Sequence, residues 1–518
     1  NSDASGISST TLSQIIGLTF DSANVVDYQS AIAAEASIAD VAALQALIDS
    51  VDASAAAFVN VQSAATSSDA STLTVDTLGA IRGLAFNGAN FVDYQSAIAT
   101  ETSIADVAAL QALIDSVDAS LAAFAAVQAA ATSSDASVIS SSTLSGIIGL
   151  TFDSANLTDY QGAIAAEISI ADVAALQALI DGVDASLVAF AVIQNAVASS
   201  DASNVSVETF RDIRGLNLIE ANVADYQQAI EREIEIADVV ALQTLVDSVD
   251  ASIVALANVQ LAATKSDASS LTVDTLSAIR GLSFDSVNLA DYQGAIAAES
   301  SIADVAALQV LIDSVDASVL AFAAVQLAAT NSDASSINAT LLAKIRGLTF
   351  TSGHILDYRS AIESETVIAD VAALQALINR VDTSLAAFAT VQAAATSSDA
   401  SGISSTTLSN IIGLTFDNIN LTDYQGAIAA EASIADVLAL QTLIDSVDAS
   451  ITAFSAVQLA ATNSDASGIS STTLSDIIGF TFDSVNLSDY QGAIATEASI
   501  TDVAALQALI DSVDASLA

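Results

Sequence analysis

The 518-residue sequence contains no cysteine, proline, methionine or tryptophan, and only one histidine. Without cysteine, the chain has neither disulfide bonds nor thiolate metal ligands. Without proline, no residue is barred from the interior of a helix. A zinc site built on histidine would have no second histidine to use. Because the segments are rich in alanine and poor in aromatic residues, the composition favours helix over strand.

Basic side chains are scarce: 10 lysines and arginines face 61 acidic residues, for a formal charge of −51. A nucleic-acid-binding protein needs basic side chains to neutralise phosphates, so we expect no nucleic-acid partner. The longest uncharged windows, such as residues 136–152, span about 17 residues and contain several serines and threonines, whereas a bilayer-spanning helix needs about 20 apolar residues. We therefore expect no membrane insertion.

A repeat of constant length is the main feature of the sequence. The dipeptide Asp27-Tyr28 recurs every 66 residues without insertion or deletion, and Gly17 recurs in the same register. A fixed period of this kind marks a tandem repeat array. All eight tyrosines occupy this one position: Tyr28, Tyr94, Tyr160, Tyr226, Tyr292, Tyr358, Tyr424 and Tyr490.

The repeat boundaries were placed after each Ser-Asp-Ala-Ser motif. Residues 1–5 match the end of a preceding repeat, and the last repeat is incomplete. We interpret the chain either as a window on a longer array or as a protomer whose ends complete each other. The eight repeats are 6–71, 72–137, 138–203, 204–269, 270–335, 336–401, 402–467 and 468–518.

Three helices are predicted in each repeat. The first runs from about Thr10 to Ile16 and closes at Gly17, where a left-handed residue commonly ends a helix. The second runs from about Val25 to Glu35, with Asn24 as its N-cap and Asp27 three residues later in an arrangement similar to a capping box.

The third helix is predicted to begin at Ser37, with Asp40 in its first turn. Apolar residues then recur every three or four positions, as they do on the buried face of a helix. This helix either continues to about Ala65 or breaks near Asp52. Since one helix cannot bury its apolar face alone, we expect an elongated all-α array of three-helix repeats, forming a rod or solenoid.

Two segments of the repeat resemble known sequences. Residues 38–54, together with residues 27–32, are similar to the helical repeats of very large bacterial cell-surface and adhesin-type proteins. The resemblance implies an extracellular or cell-surface location and a spacer, adhesive or filament-forming role. It carries no catalytic residues.

Acidic residues recur at five positions of each complete repeat, represented by Asp27, Glu35, Asp40, Asp52 and Asp69. Paired carboxylates can act as a general acid and base. However, helix capping and solubility explain most of these positions, and a catalytic pair in every repeat of one chain would be unusual. We therefore predict that the protein is not an enzyme.

Calcium is a candidate ligand because it prefers oxygen donors, which acid-rich loops supply. The candidate ligands are Asp21 with Asn24, Asp69 with Ser71, and their equivalents in other repeats. A solvated acidic surface without an ordered ion is the alternative. His354, the single histidine, takes the Asn24 position in the sixth repeat and is interpreted as a variant cap rather than a catalytic base.

Three functions remain open at this level. The first is a structural protein that self-associates into an extracellular filament, sheath or surface layer, with copies of itself as partners. The second is a monomeric stalk or spacer within a giant secreted or surface adhesin. The third is a calcium- or ligand-binding repeat protein.

Overall fold

The structure, a computed structural model, describes residues 3–517. The chain forms two compact units, Asn1–Ala251 and Ser252–Ala518. Within the described residues the regular elements are 24 α-helices and eight short 3-10 helices, with no β-strand. The predicted all-α array of three-helix repeats is confirmed.

The helices recur in the same order in every repeat. The first helices are α1 (Ser9–Ser13), α4 (Val75–Gly79), α7 (Ser141–Ser145), α10 (Val207–Asp212), α13 (Val273–Ser277), α16 (Ala339–Leu342), α19 (Ser405–Ser409) and α22 (Ser471–Ser475). The second helices are α2 (Val25–Ala34), α5 (Phe91–Thr100), α8 (Leu157–Ala166), α11 (Val223–Ile230), α14 (Leu289–Ala298), α17 (Ile355–Ser364), α20 (Leu421–Ala430) and α23 (Leu487–Thr496).

The third helices are much longer: α3 (Val41–Ser67), α6 (Val107–Ser133), α9 (Val173–Ser199), α12 (Val239–Lys265), α15 (Val305–Asn331), α18 (Val371–Ser397), α21 (Val437–Thr462) and α24 (Val503–Leu517). A 3-10 turn precedes each second helix, at Ser22–Asn24, Gly88–Asn90, Ser154–Asn156, Glu220–Asn222, Ser286–Asn288, Ser352–His354, Asn418–Asn420 and Ser484–Asn486.

The first helix is shorter than predicted. It begins after Ser8, whose hydroxyl accepts a hydrogen bond from the Thr11 backbone at 3.2 Å, and it ends at Ser13 rather than Ile16. Gly17 lies in a separate turn, which the Leu18 amide closes by donating to the Ile15 carbonyl. The φ angle of Gly17 is 88°, a value that glycine adopts without strain, which explains why glycine recurs at this position.

The third helix corrects one expectation and decides between two alternatives. It begins at Val41 rather than Ser37, because the Asp40 carboxylate accepts a hydrogen bond from the Ala43 amide at 2.8 Å and so caps the helix. It then continues without a break past Asp52 to Ser67. Ser68 ends it in a left-handed conformation with φ of 53°, and the same conformation recurs at the equivalent serine of six later repeats.

The hydrophobic cores do not coincide with single sequence repeats. In the first unit, one core combines Val61 from the C-terminal half of α3 with Tyr94 from α5 and Leu110 from the N-terminal half of α6. The next core begins with Val127 from the C-terminal half of the same α6. The helices α3 and α6 therefore each contribute to two successive cores.

The second unit repeats this arrangement. Leu308 and Val315 of α15 belong to one core, whereas Ala321 and Val325 of the same helix belong to the next. The helices α18 and α21 are divided between cores in the same way. The turns of such a helix that pack in one core and the turns that pack in the next core thus belong to the same uninterrupted helix.

Candidate functional site

A hydrogen-bonded network around the repeated tyrosine is the main polar constellation. In the first repeat, Tyr28 donates its hydroxyl hydrogen to the Asp52 carboxylate. The Asn24 side chain donates to the same carboxylate oxygen at 2.7 Å, and the Asp21 amide donates to the Tyr28 hydroxyl at 2.9 Å. The network joins the 3-10 turn, α2 and the middle of α3.

The tyrosine–aspartate bond recurs in every repeat. Tyr160 donates to Asp184 at 2.6 Å, for example, and the tyrosine ring is fully buried. Phe152 packs edge-to-face against this ring with centroids 6.3 Å apart. The other pairs are Tyr94 with Asp118, Tyr226 with Asp250, Tyr292 with Asp316, Tyr358 with Asp382, Tyr424 with Asp448, and Tyr490 with Asp514.

The network keeps the phenols protonated. Burial, followed by the hydrogen bond to Asp52, raises the pKa of Tyr28 to about 12, and the same causes with Asp250 raise the pKa of Tyr226 to about 12. Burial raises the pKa of the remaining six tyrosines in the same direction. At neutral pH each hydroxyl is protonated and donates its hydrogen to the carboxylate.

This network corrects the prediction for Asn24. The side chain of Asn24 makes no capping hydrogen bond to α2, although the residue directly precedes that helix. Its amide donates instead to Asp52, which lies 28 positions later. In the sixth repeat His354 takes the same place, and its Nδ1 atom lies 2.7 Å from an oxygen of Asp382. His354 is therefore a variant partner of the repeated aspartate, and its side chain does not cap α17.

The first pair of calcium candidates, Asp21 and Asn24, flanks the 3-10 turn. The Asp21 carboxylate accepts a hydrogen bond from the Ala23 amide at 2.9 Å, while the Asn24 side chain faces Asp52. The Asp21 position is occupied by Asn87 in the second repeat, by Ile219 in the fourth and by Thr351 in the sixth, none of which has a carboxylate.

The second candidate pair, Asp69 and Ser71, lies together in the turn after α3. The Asp69 carboxylate accepts a hydrogen bond from the Ser71 amide at 2.9 Å. Hydrogen bonds from the side chain and backbone of Ser71 lower the pKa of Asp69. Within residues 3–517, no group of three or more histidine, aspartate or glutamate side chains could hold a metal ion. Calcium binding stays a prediction.

Other recurring acids have local structural partners or positions. Asp40 caps α3, Asp52 receives the tyrosine, and Asp69 stabilises the turn. Asp27 lies in the first turn of α2, where a negative charge is favoured by the helix dipole. These contacts account for the recurrence of the four aspartates without invoking a reaction.

Two glutamine contacts were missed by the sequence analysis. Gln45 of α3 accepts a hydrogen bond from the Thr19 amide at 2.7 Å and donates to the Thr19 carbonyl at 2.8 Å. It therefore ties the loop after α1 to the long helix. The recurrence of glutamine at this position in all eight repeats was the available signal.

The second glutamine contact joins successive repeats. Gln62, in the C-terminal half of α3, donates to the carbonyl of Ile104 at 3.0 Å, just before α6. On the same helix, the Ser54 hydroxyl accepts a hydrogen bond from the Arg82 amide at 2.9 Å. The third helix of one repeat thus holds two backbone positions of the following repeat.

Comparison with protein-family models finds no match, and comparisons with curated proteins and with solved structures find none either. The resemblance to bacterial surface repeats therefore stays a prediction.

Six of the long helices, namely α3, α6, α9, α12, α15 and α21, are long and apolar enough to cross a membrane by length and composition alone. Each supplies buried side chains to the cores described above or to equivalent positions. The expectation that the chain does not insert into a membrane stays a prediction.

Proposed function

We propose that this is a structural repeat protein that associates with copies of itself outside the cell, forming a filament, sheath or surface layer. The observation that carries this proposal is an apolar solvent-facing surface on the long helix α15. On α15, Val310, Leu320 and Leu327 are 69%, 72% and 61% exposed, respectively. A contiguous exposed patch of such large apolar side chains typically marks a surface that binds another molecule.

The spacing places these residues on one face of α15, which we call the outer stripe: Val310, Ala317, Leu320, Ala324 and Leu327. These positions are separated by seven, three, four and three residues, a spacing that brings side chains to one side of a helix. The small alanines permit the close approach of a second helix. A second copy supplies an identical surface, and a contact between two outer stripes gives a two-fold dimer, from which a filament or layer would extend through a further contact.

Charge also favours association at this surface. Residues 317–331 of α15 contain no acidic or basic side chain, although the whole chain has a net charge of −51. Two copies repel each other where their carboxylates face, and least where uncharged stripes meet. At 0.1 M ionic strength, added salt screens the remaining repulsion between carboxylates that are more than about 10 Å apart. Association is therefore expected to strengthen with salt.

Sedimentation velocity of the full chain over a range of protein and salt concentrations tests the proposal. We expect the mass to rise with both, and electron microscopy to show ordered assemblies. Replacing Leu320 and Leu327 with glutamate should abolish the rise. The control is Ile419→Glu, which changes an 87% exposed residue outside the outer stripe. A wild-type chain that stays monomeric under all conditions would refute self-association.

A second candidate is the stalk or spacer of a cell-surface adhesin. It is favoured by the long helices that contribute to two successive cores, since uninterrupted helix resists bending at the junction between cores. Single particles that do not associate at high concentration, with a Leu320→Glu variant indistinguishable from wild type, would support this function over the first.

A further inference from the structure

One charged residue interrupts the outer stripe of α15. The stripe follows the a and d positions of a seven-residue repeat: the a positions are Val310, Ala317 and Ala324, and the d positions are Leu320 and Leu327. The d position between Val310 and Ala317 is Asp313, whose exposed carboxylate accepts a hydrogen bond from Gln309 of the same helix at 2.7 Å. A second helix that packs along the outer stripe therefore also meets this carboxylate.

A parallel contact between two copies is unfavourable at Asp313. In a parallel pair each a or d residue lies beside its own equivalent, so the two Asp313 carboxylates would face each other. The helix axes of such a pair are about 8–10 Å apart, and like charges at this separation oppose association. Leucine would also face leucine and alanine would face alanine, which leaves the alanine layers poorly filled.

An antiparallel contact avoids both problems. When the two-fold axis passes between residues 318 and 319, Leu320 of each copy faces Ala317 of the other, and Leu327 faces Val310. Asp313 then faces Ala324, which carries no charge. The two Asp313 carboxylates are as far apart along the axis as residues 313 and 324 of one helix, which is about 16 Å at about 1.5 Å per residue. This separation exceeds the screening length of about 10 Å at 0.1 M ionic strength.

The length of α15 favours this register over its two neighbours. A shift by one seven-residue repeat in one direction places Val310 opposite residue 334, beyond the end of the helix at Asn331. The opposite shift places Leu327 opposite residue 303, before the start of the helix at Val305. Among these three registers, the central one alone gives every residue of the outer stripe a partner within the helix of the second copy.

We infer that α15 binds the α15 helix of a second copy in antiparallel orientation, with Leu320 of each chain facing Ala317 of the other and Asp313 facing Ala324. This inference deepens the proposed self-association and rests on it. It adds the orientation and the register of the contact. The alternation of large and small residues specifies them by shape, and the carboxylate specifies them by charge.

Replacing Ala324 with lysine tests the orientation by the sign of the effect. In the antiparallel contact each new lysine faces Asp313 of the other copy, so dimerisation measured by sedimentation equilibrium should tighten about threefold or more. The gain should appear at about 0.01 M ionic strength and disappear at about 1 M, where the screening length is about 3 Å. In a parallel contact the two lysines would face each other, and dimerisation would weaken.

The matched control is Ala126→Lys in α6. Ala126 is exposed and occupies the position of α6 that is equivalent to Ala324, and the substitution changes the net charge of the chain by the same amount. The α6 equivalents of the outer stripe are all alanine: Ala112, Ala119, Ala122, Ala126 and Ala129. Because this helix lacks the large residues of the outer stripe, we expect Ala126→Lys to change dimerisation by less than about twofold.

Disulfide cross-linking measures the register directly, because the chain has no cysteine of its own. An isotope-labelled Val310→Cys chain is mixed with an unlabelled Leu327→Cys chain, oxidised, and digested for mass spectrometry. We expect a disulfide between position 310 of one chain and position 327 of the other. An Ile419→Cys chain, oxidised alone, measures the background of collisional cross-linking at an exposed position outside the outer stripe.

The outcomes separate this inference from the proposed self-association. Disulfides that join two Val310→Cys chains or two Leu327→Cys chains, or weaker dimerisation of the Ala324→Lys variant, would overturn the antiparallel arrangement and leave self-association in place. A wild-type chain that stays monomeric would overturn both.

Discussion

The first and second repeats have closely similar sequences but different surroundings. Tyr28 and Tyr94 are equally buried, and both donate to an aspartate 24 positions later. Leu44 is partly exposed, however, whereas the equivalent Leu110 is fully buried. The tyrosine network is therefore formed within one repeat, whereas part of the hydrophobic core is supplied by the preceding long helix.

The largest expected effect concerns the tyrosine network, which both repeats contain. Burial raises the pKa of Tyr28 to about 12 and raises that of Tyr94 in the same direction, from an ordinary value of 10.0. Because the folded chain holds these protons more tightly than the unfolded chain, the stability they contribute is complete below about pH 10 and is lost as the pH rises towards 12. We expect cooperative loss of helix over this range.

Absorbance at 295 nm and circular dichroism, recorded together during an alkaline titration, measure this effect. Tyrosinate formation and helix loss should coincide, since the tyrosines of all eight networks are buried. Tyrosines that ionise near pH 10 while the helices persist would show that the network is not closed to solvent.

The second prediction concerns the leucine whose burial differs between the two repeats. Leu110→Ala removes a fully buried side chain and should lower the local free energy of unfolding by about 2–5 kcal/mol. Leu44→Ala removes a side chain that is already partly exposed, so a loss of about 1 kcal/mol is expected. Native-state hydrogen exchange in α6 and α3 gives the two values separately. Equal losses would mean that Leu44 is as well covered in solution as Leu110.

The third prediction concerns the hydroxyl of the network. Tyr94→Phe leaves the Asp118 carboxylate and the Asn87 amide without their shared partner, which should cost about 1–3 kcal/mol. Tyr28→Phe should cost the same amount, because its bonds lie within its own repeat. A clearly smaller cost in the first repeat would show that the network also depends on the preceding helix.

The smallest effect is expected at the helix ends. Ser68 and Ser134 adopt φ of 53°, a left-handed conformation that favours glycine. Replacing either with glycine should raise stability by up to about 1 kcal/mol, measured as an increase in the thermal midpoint. Ser63→Gly is the control, since it places glycine inside α3 and should lower stability by about 1 kcal/mol. A decrease for Ser68→Gly would show that the serine hydroxyl contributes to the turn.

The sequence predicted the helices better than their ends. The 66-residue period and the three- and four-residue spacing identified all three helices, because burial of one helical face imposes those spacings. The start of the third helix was misplaced because Ser37 and Asp40 are both acceptable caps, and local sequence does not rank them. The local sequence could not show that the helix continues past Asp52, because the partner of this aspartate is Tyr28, which lies 24 positions earlier in the chain.

The polar contacts were less predictable for a related reason. Asn24 has the sequence signature of a cap, yet its partner is far away in the chain, so the local pattern was misleading. Gln45 and Gln62 look like ordinary solvent-exposed residues of a helix. Their roles depend on which loop lies beside them, which is a property of the tertiary packing. Their strict recurrence was the only available sign.

The division of long helices between two cores also has a genetic consequence. A crossover between equivalent positions of two repeats keeps the 66-residue period and so rejoins the two halves of a long helix in register. We therefore expect that the number of repeats can change without disrupting the packing at the new junction.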